Sequence, residues 1–152
     1  MSRRAWRIVK ERHAATAFDG EGAMRVGGRW NSPGTRVVYA SESKALAALE
    51  ILVHLNPPVI FKYVAIAIEF DAGLVERIDV SNLPADWTQE PPSRTTQIIG
   101  DQWVKEARSA VLELPSIIIP SESNFLLNPA HPDFAKIAIG KPGAFSFDPR
   151  LL

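Results

Sequence analysis

The sequence predicts an α+β domain in which short strands outnumber helices, and three observations carry that expectation. Runs rich in β-branched and aromatic residues recur along the whole chain. Only two stretches combine helix-forming composition with a capping residue ahead of them. Strands and helices also fail to alternate in the regular order of a doubly wound sheet. A length of 152 residues fits one domain, 1–152, and a composition of 46% hydrophobic residues, with 4 Trp, 2 Tyr and 7 Phe, supplies a sizeable core.

Taken in order, Ala5–Val9 and Thr35–Ala40 are predicted strands by β-branched content, and the glycine-rich Gly20–Gly34 between them reads as a structured loop. The period changes at Ser41, which is placed as a helix N-cap. Glu42 suits the positive end of the dipole, and Lys44–Leu55 holds helix formers until Asn56-Pro57-Pro58 stops them. Phe61–Phe70 alternates as a strand, and Leu74–Val80 is expected to pair with it. Ser93 is placed as the cap of a second helix running to about Arg108. Beyond it, Val111–Leu114, Ser116–Ile119, Phe125–Leu127, Phe134–Ile139 and Phe145–Phe147 read as short strands. Pro115, Pro120, Pro129, Pro132 and Pro142 punctuate them, because proline cannot donate a ladder bond. No internal repeat or low-complexity tract is visible.

Seventeen Lys and Arg against 17 Asp and Glu give a formal charge of zero, so no global field draws the chain to nucleic acid or to an anionic membrane. The charge is uneven, however: residues 1–36 hold eight basic and three acidic groups, net +5. Such a bias suits a phosphate-bearing small molecule or a solvated basic face. The absence of cysteine excludes disulfides, thiolate catalysis and cysteine-ligated metal. The first residues lack the apolar stretch of a secretion signal, and no run is long and apolar enough to span a bilayer, so a cytoplasmic domain is expected.

Two features look chemical. The first helix is apolar on every face except at Glu50 and His54, which are four apart and so share a face. A helix apolar all round is normally buried, and a buried carboxylate must be partnered or line a cleft. The second feature is Gly27-Gly28-Arg29-Trp30-Asn31-Ser32-Pro33-Gly34. Glycine lets backbone approach a ligand, and arginine offers phosphate a bidentate contact. This run matches neither a P-loop nor a Rossmann fingerprint. Tyr39 lies just ahead of the Glu50 helix and could border the same cleft. Ser116 is a polar residue beside an apolar run, with Ser121, Ser123 and Asn124 close behind. His13, His54 and His131 have no metal-ligand spacing, and no nucleophile elbow is present, so hydrolase triads and metal sites are not expected.

Assembled in order, these segments closely resemble the RES domain family over nearly the whole chain. The residues concerned are Trp6-Arg7-Ile8, Gly20-Glu21-Gly22, Gly27-Gly28-Arg29-Trp30-Asn31, Val38-Tyr39, Ala47-Ala48-Leu49-Glu50 with His54, Pro115-Ser116, Asn124-Phe125-Leu126-Leu127-Asn128-Pro129 and Phe147-Asp148-Pro149-Arg150-Leu151. The resemblance implies a toxin of a RES–Xre toxin–antitoxin module that depletes NAD⁺, on a fold similar to diphtheria-toxin-type ADP-ribosyltransferases. It maps the family arginine onto Arg29, the glutamate onto Glu50, a site tyrosine onto Tyr39 and the serine onto Ser116, with Ser121 and Ser123 as fallbacks. Asn124 and Gly28 become further pocket residues. No cofactor is implied: NAD⁺ is the substrate, and water or inorganic phosphate the acceptor. An Xre-type helix-turn-helix antitoxin and a homodimer are the implied partners, with no direct binding of nucleic acid. The competing expectations are ADP-ribose transfer to a macromolecule and a catalytically silent interaction module.

Overall fold

A computed structural model describes residues 1–55 and 61–152, and the predicted helix stop Asn56-Pro57-Pro58 lies outside the described residues. The framework is an eight-stranded sheet built from β1 (Ser2–Lys10), β2 (Val38–Ser41), β3 (Tyr63–Asp71), β4 (Val75–Arg77), β5 (Val111–Pro115), β6 (Ser123–Leu127), β7 (Ala138–Ile139) and β8 (Gly143–Phe145). The strand order is β4-β5-β6-β2-β1-β3-β7, and β8 also pairs with β3. Every pairing is antiparallel except β4 with β5. The longest ladder joins β1 to β3, from Ser2 opposite Asp71 to Lys10 opposite Tyr63.

Among the described residues three α-helices accompany the sheet: α1 (Glu21–Val26), α2 (Lys44–Leu52) and α3 (Arg94–Glu106). Strand alternation sorts the core onto the two faces of the sheet. On one face Ala5, Val38, Ala40, Ile68, Phe70, Val111, Phe125 and Leu127 pack together under the turns around Phe18 and Phe134. On the other, α3 inserts Trp103 among Leu112, Leu114 and Leu126, while α2 sets Ala47 and Ala48 against Ile8, Tyr63 and Ala65. Both larger helices therefore cover the same face, and residues on that side of β2 and β6, Tyr39 and Asn124 among them, look toward the space between helices. No helix among the described residues is long and apolar enough to cross a membrane.

Several sequence expectations are corrected. The cap of α2 is Ser43, whose hydroxyl accepts from the Leu46 amide at 3.0 Å; Ser41 instead closes β2 and donates to Asn124 Oδ1 at 2.7 Å. That helix ends at Leu52 and is buried on one side only, through Leu46, Ala47 and Ala48. Val53 just beyond it is 60% exposed, so an all-apolar helix here does not mean all-round burial. The Gly20–Gly34 stretch is not wholly loop, since it contains α1.

Ser93 does precede α3, but its side chain caps nothing, and the helix closes at Glu106 on Ala107 in the left-handed region. The Leu74–Val80 segment yields β4, which lies parallel to β5 rather than against β3. A chain returning parallel needs a crossover, and α3 supplies it, a pairing that favours no local turn signal. Ser116–Ile119 is a bend and not a strand, because the Ser116 hydroxyl accepts from the amides of Ile118 and Ile119 and turns the chain away from the ladder. The first half of Phe134–Ile139 belongs to a 3₁₀ turn, Pro132–Lys136, with only Ala138–Ile139 paired, and the last strand is shifted to Gly143–Phe145.

Candidate active site

Between α2, the strand ends and the loop after α1 lies a cavity of about 610 Å³, within the range that holds small-molecule ligands. Trp6, Arg7, Gly28, Arg29, Tyr39, Glu50, His54, Glu90 and Asn124 are on its walls. The basic N-terminal segment and the ionisable face of α2, two separate features of the sequence, thus meet in one place.

The loop carrying Arg29 is built from buried polar contacts. Gly27 takes a φ of 74°, a left-handed turn that a side chain would strain. Asn31 is fully buried; its Nδ2 donates to the carbonyls of Ala23 (2.8 Å) and Thr35 (3.1 Å), and its Oδ1 accepts from the Tyr39 hydroxyl at 2.6 Å. That hydroxyl also accepts from the Trp30 amide at 3.1 Å. Burial pushes Tyr39 far above the ordinary phenol range, so the hydroxyl stays protonated and keeps donating. A Cβ on Gly28 would lie 2.7 Å from the Tyr39 hydroxyl, which is why glycine stands there. From the other side α3 props the loop: Gln97 Nε2 donates to Gly28 O at 3.1 Å, and Asp101 accepts from the Ser32 amide at 2.9 Å and from its hydroxyl. A Cβ on Gly100 would fall 1.6 Å from Trp30 O, so helix and loop touch backbone to backbone.

The Arg29 guanidinium that results is held at its end. Nη1 donates to the carbonyls of Trp87 (3.0 Å) and Gln89 (2.8 Å), and Nη2 to Glu90 Oε2 at 2.5 Å. Trp87 stacks on Trp30 with centroids 6.4 Å apart.

Glu50 enters from α2. Asn124 Nδ2 donates to its Oε2 at 3.1 Å, and the Ser116 hydroxyl lies 3.4 Å from its Oε1, a long contact. Burial raises the Glu50 carboxyl above the usual glutamate value, opposed in descending order by the hydrogen bonds from Asn124 and Ser116 and by the positive charge of His54 and Arg29. Ser116 is fully buried, so its hydroxyl reaches Glu50 and the turn amides rather than the cavity: a direct ligand contact from Ser116 is not what the geometry provides. The fallbacks Ser121 and Ser123 line a separate small cleft of about 160 Å³ beside Glu113 and Arg77, and Ser123 donates to Glu113 at 2.7 Å.

Arg7, part of the basic N-terminal segment and of the Trp6-Arg7-Ile8 motif but given no site role by either, also stands on the wall. Its Nε donates to Ala17 O at 2.7 Å and its Nη1 to Tyr39 O at 2.9 Å, the second in the gap where β1 leaves β2 after the single pair Trp6 opposite Ser41. Burial lowers its pKa to about 10, partly offset by Asp19, which leaves it cationic at neutral pH. A signal was present: strand alternation puts Arg7 on the face of Ala5 and Val9, an odd place for a charge. Glu90, in a loop, offered none. His131 caps the Pro132–Lys136 turn, its Nδ1 accepting from the Asp133 amide. Among the described residues no cluster of three or more His, Asp or Glu is arranged to hold a metal ion.

A Sphingobium protein named as a Prs ADP-ribosylating toxin is 40% identical over 97% of this chain and 95% of its own length. A Yersinia enterocolitica protein named Toxin Res is 36% identical over 96% of this chain and 97% of its own. A chain of the M. tuberculosis MbcT–MbcA toxin–antitoxin complex superposes with a TM-score of 0.78 over 96% of this chain and 85% of that one, at 15% identity, which establishes a shared fold. With the RES domain profile matching residues 4–148, a span that contains every wall of the cavity, the chain belongs to the RES domain family.

Proposed function

We propose that this protein is the toxin of a toxin–antitoxin module and that it cleaves the nicotinamide–ribose bond of NAD⁺. The observation that carries the reading is the Glu50 carboxylate, fastened by Asn124 in a largely apolar cavity that also receives the cationic Arg7 and Arg29. The names of the Sphingobium and Yersinia relatives, and the toxin–antitoxin complex that supplies the structural neighbour, support the biological role. The proposed kinship with diphtheria-toxin-type ADP-ribosyltransferases supports the substrate.

In this mechanism Arg29 and Arg7 bind the diphosphate, whose charge matches two guanidinium groups. Tyr39 and Gly28 shape the wall beside the nicotinamide riboside. The C1′–N1 bond breaks with its electron pair going to nicotinamide, which leaves neutral from a cationic pyridinium, so no general acid is required. Positive charge develops at C1′ and the ring oxygen, and ionised Glu50 stabilises it and orients the incoming oxygen. Water attack releases one proton and gives ADP-ribose; attack by inorganic phosphate gives its 1″-phosphate. Asn124 and Ser116 act by holding Glu50.

The name of the Sphingobium relative favours a second reading, transfer of ADP-ribose to a protein acceptor. Purified protein incubated with NAD⁺, with and without phosphate, and followed by mass spectrometry separates them. Nicotinamide with ADP-ribose or its phosphate supports the first reading, and a mass increase on an added protein without free product supports the second. No nicotinamide from folded protein removes the first reading and leaves either a transferase whose acceptor was missing or the silent interaction module. An Xre-type antitoxin that covers the cavity and a homodimer are the partners proposed with this reading, testable by co-purification and sedimentation.

A further inference from the structure

The Arg29 contacts contain a conflict. An arginine receives a phosphate side-on through the Nε–Nη2 edge or end-on through the two Nη atoms. Here Nη1 is consumed by two backbone carbonyls, those of Trp87 and Gln89, so only the Nε–Nη2 edge can face a ligand. Glu90 sits on Nη2 of that edge with its carboxylate 65% exposed and lining the cavity, whereas the Arg29 side chain is 12% exposed. The two carbonyls already fix the guanidinium, so Glu90 is not needed to orient it. What Glu90 adds is a negative charge on Nη2, one of the two donors of the edge left to a phosphate.

We propose that Glu90 is an internal competitor for the Arg29 anion site, which a diphosphate must displace from Nη2 in order to bind. Glu90 therefore sets the affinity of the cavity for anionic ligands and weakens it relative to an uncharged side chain. The proposal takes its substrate from the NAD⁺ reading but its chemistry only from the ion pair. It also follows that Glu90 swings toward solvent when the site fills, a small movement for a side chain already two-thirds exposed.

The test pairs two measurements on wild type, Glu90→Gln and Glu90→Gln/Arg29→Gln: calorimetric titration with inorganic diphosphate, and steady-state cleavage of NAD⁺. Glu90→Gln is expected to bind diphosphate about three- to tenfold more tightly, to show a matching fall in KM for NAD⁺ rather than a rise in kcat, and to lose the gain when Arg29 is also replaced. Unchanged or weaker diphosphate binding in Glu90→Gln overturns the proposal, as does the absence of measurable binding in both proteins, since removing the competitor would then have opened no anion site. A gain that survives loss of Arg29 overturns it too. If diphosphate binding tightens while neither protein cleaves NAD⁺, the competitor stands and the substrate assignment fails. If wild type cleaves NAD⁺ and Glu90→Gln changes neither KM nor diphosphate affinity, the substrate assignment stands and the competitor fails.

Discussion

The loop that brings Arg29 to the cavity and the helix that brings Glu50 face one another, yet they are held by different means. The loop is fastened by backbone and buried polar groups: Asn31 is fully buried among four polar partners, and Gly100 lets α3 touch Trp30 O directly. The helix is fastened on one side by small apolar residues, Ala47 and Ala48, and runs out into solvent at Val53. The charges follow the same division. Arg29 is saturated at its end by carbonyls, while Glu50 has one good hydrogen bond, one long one and a raised pKa. The asymmetry leaves Glu50 with fewer hydrogen-bond donors than its oxygens can accept, so part of the carboxylate is open to a group in the cavity.

The comparison predicts its own largest effect at Glu50. Glu50→Gln keeps the hydrogen-bonding shape and removes the charge, and NAD⁺ cleavage is expected to fall by about a hundredfold or more. The same variant should be no less stable at neutral pH. A carboxyl whose folded pKa is raised contributes stability below its unfolded pKa and loses it as pH rises through the folded value, so at pH 7 the ionised Glu50 is a cost that glutamine lacks. A melting curve with unchanged or higher Tm beside an inactive enzyme supports the division; full turnover in the folded variant refutes the role of Glu50.

On the loop side, Gly100→Ala should act through stability first. The added carbon meets backbone and not a flexible side chain, so the helix or the loop must move, at a cost of roughly 2–3 kcal/mol. For a chain of this size that corresponds to a fall in Tm of about 5–10 °C, readable by calorimetry. An unshifted Tm means that loop and helix are less tightly joined than the backbone contact indicates.

A smaller and more diagnostic effect is expected from Asn124→Ala. With ionised Glu50 in its proposed role, kcat/KM should fall as pH drops through its pKa, on a limb above the ordinary glutamate range. Deleting the Asn124 donor removes a bond to the charged form and moves that limb to higher pH. A limb that stays where it was assigns the titration to another group. Smallest of all is Ser121→Ala, whose exposed side chain borders the separate cleft and should leave NAD⁺ turnover within about twofold of wild type, a surface change away from any buried contact.

Much was legible before folding. Strand composition located β1, β3 and β6; helix formers behind a serine located α2 and α3 to within a few residues; and a carboxylate on an otherwise apolar helix marked Glu50 as anomalous. These are local signals, carried by side-chain shape and by the cost of desolvating a charge. The glycine-rich run marked Arg29, and the resemblance to the RES family gave Arg29, Tyr39 and Asn124 their expected roles; all three stand on the cavity wall. The sequence alone could not choose among Ser116, Ser121 and Ser123. They lie within eight positions of one another, and their separation into a Glu50 contact and a second cleft depends on a bend that Ser116 itself creates.

What the sequence determined by itself was the long strands, the two longer helices and the two chemical anomalies, because hydrophobic periodicity, capping and the isolation of a charge are properties of neighbours along the chain. Tertiary structure decided the rest: the parallel pairing of β4 with β5 across α3, the meeting of Arg7 with Tyr39 O where β1 and β2 part, and the closure of Glu90 on Arg29 from 61 residues away. Each of these joins groups whose contact energy has no trace in local composition, since a hydrogen bond or ion pair records only where two atoms end in space.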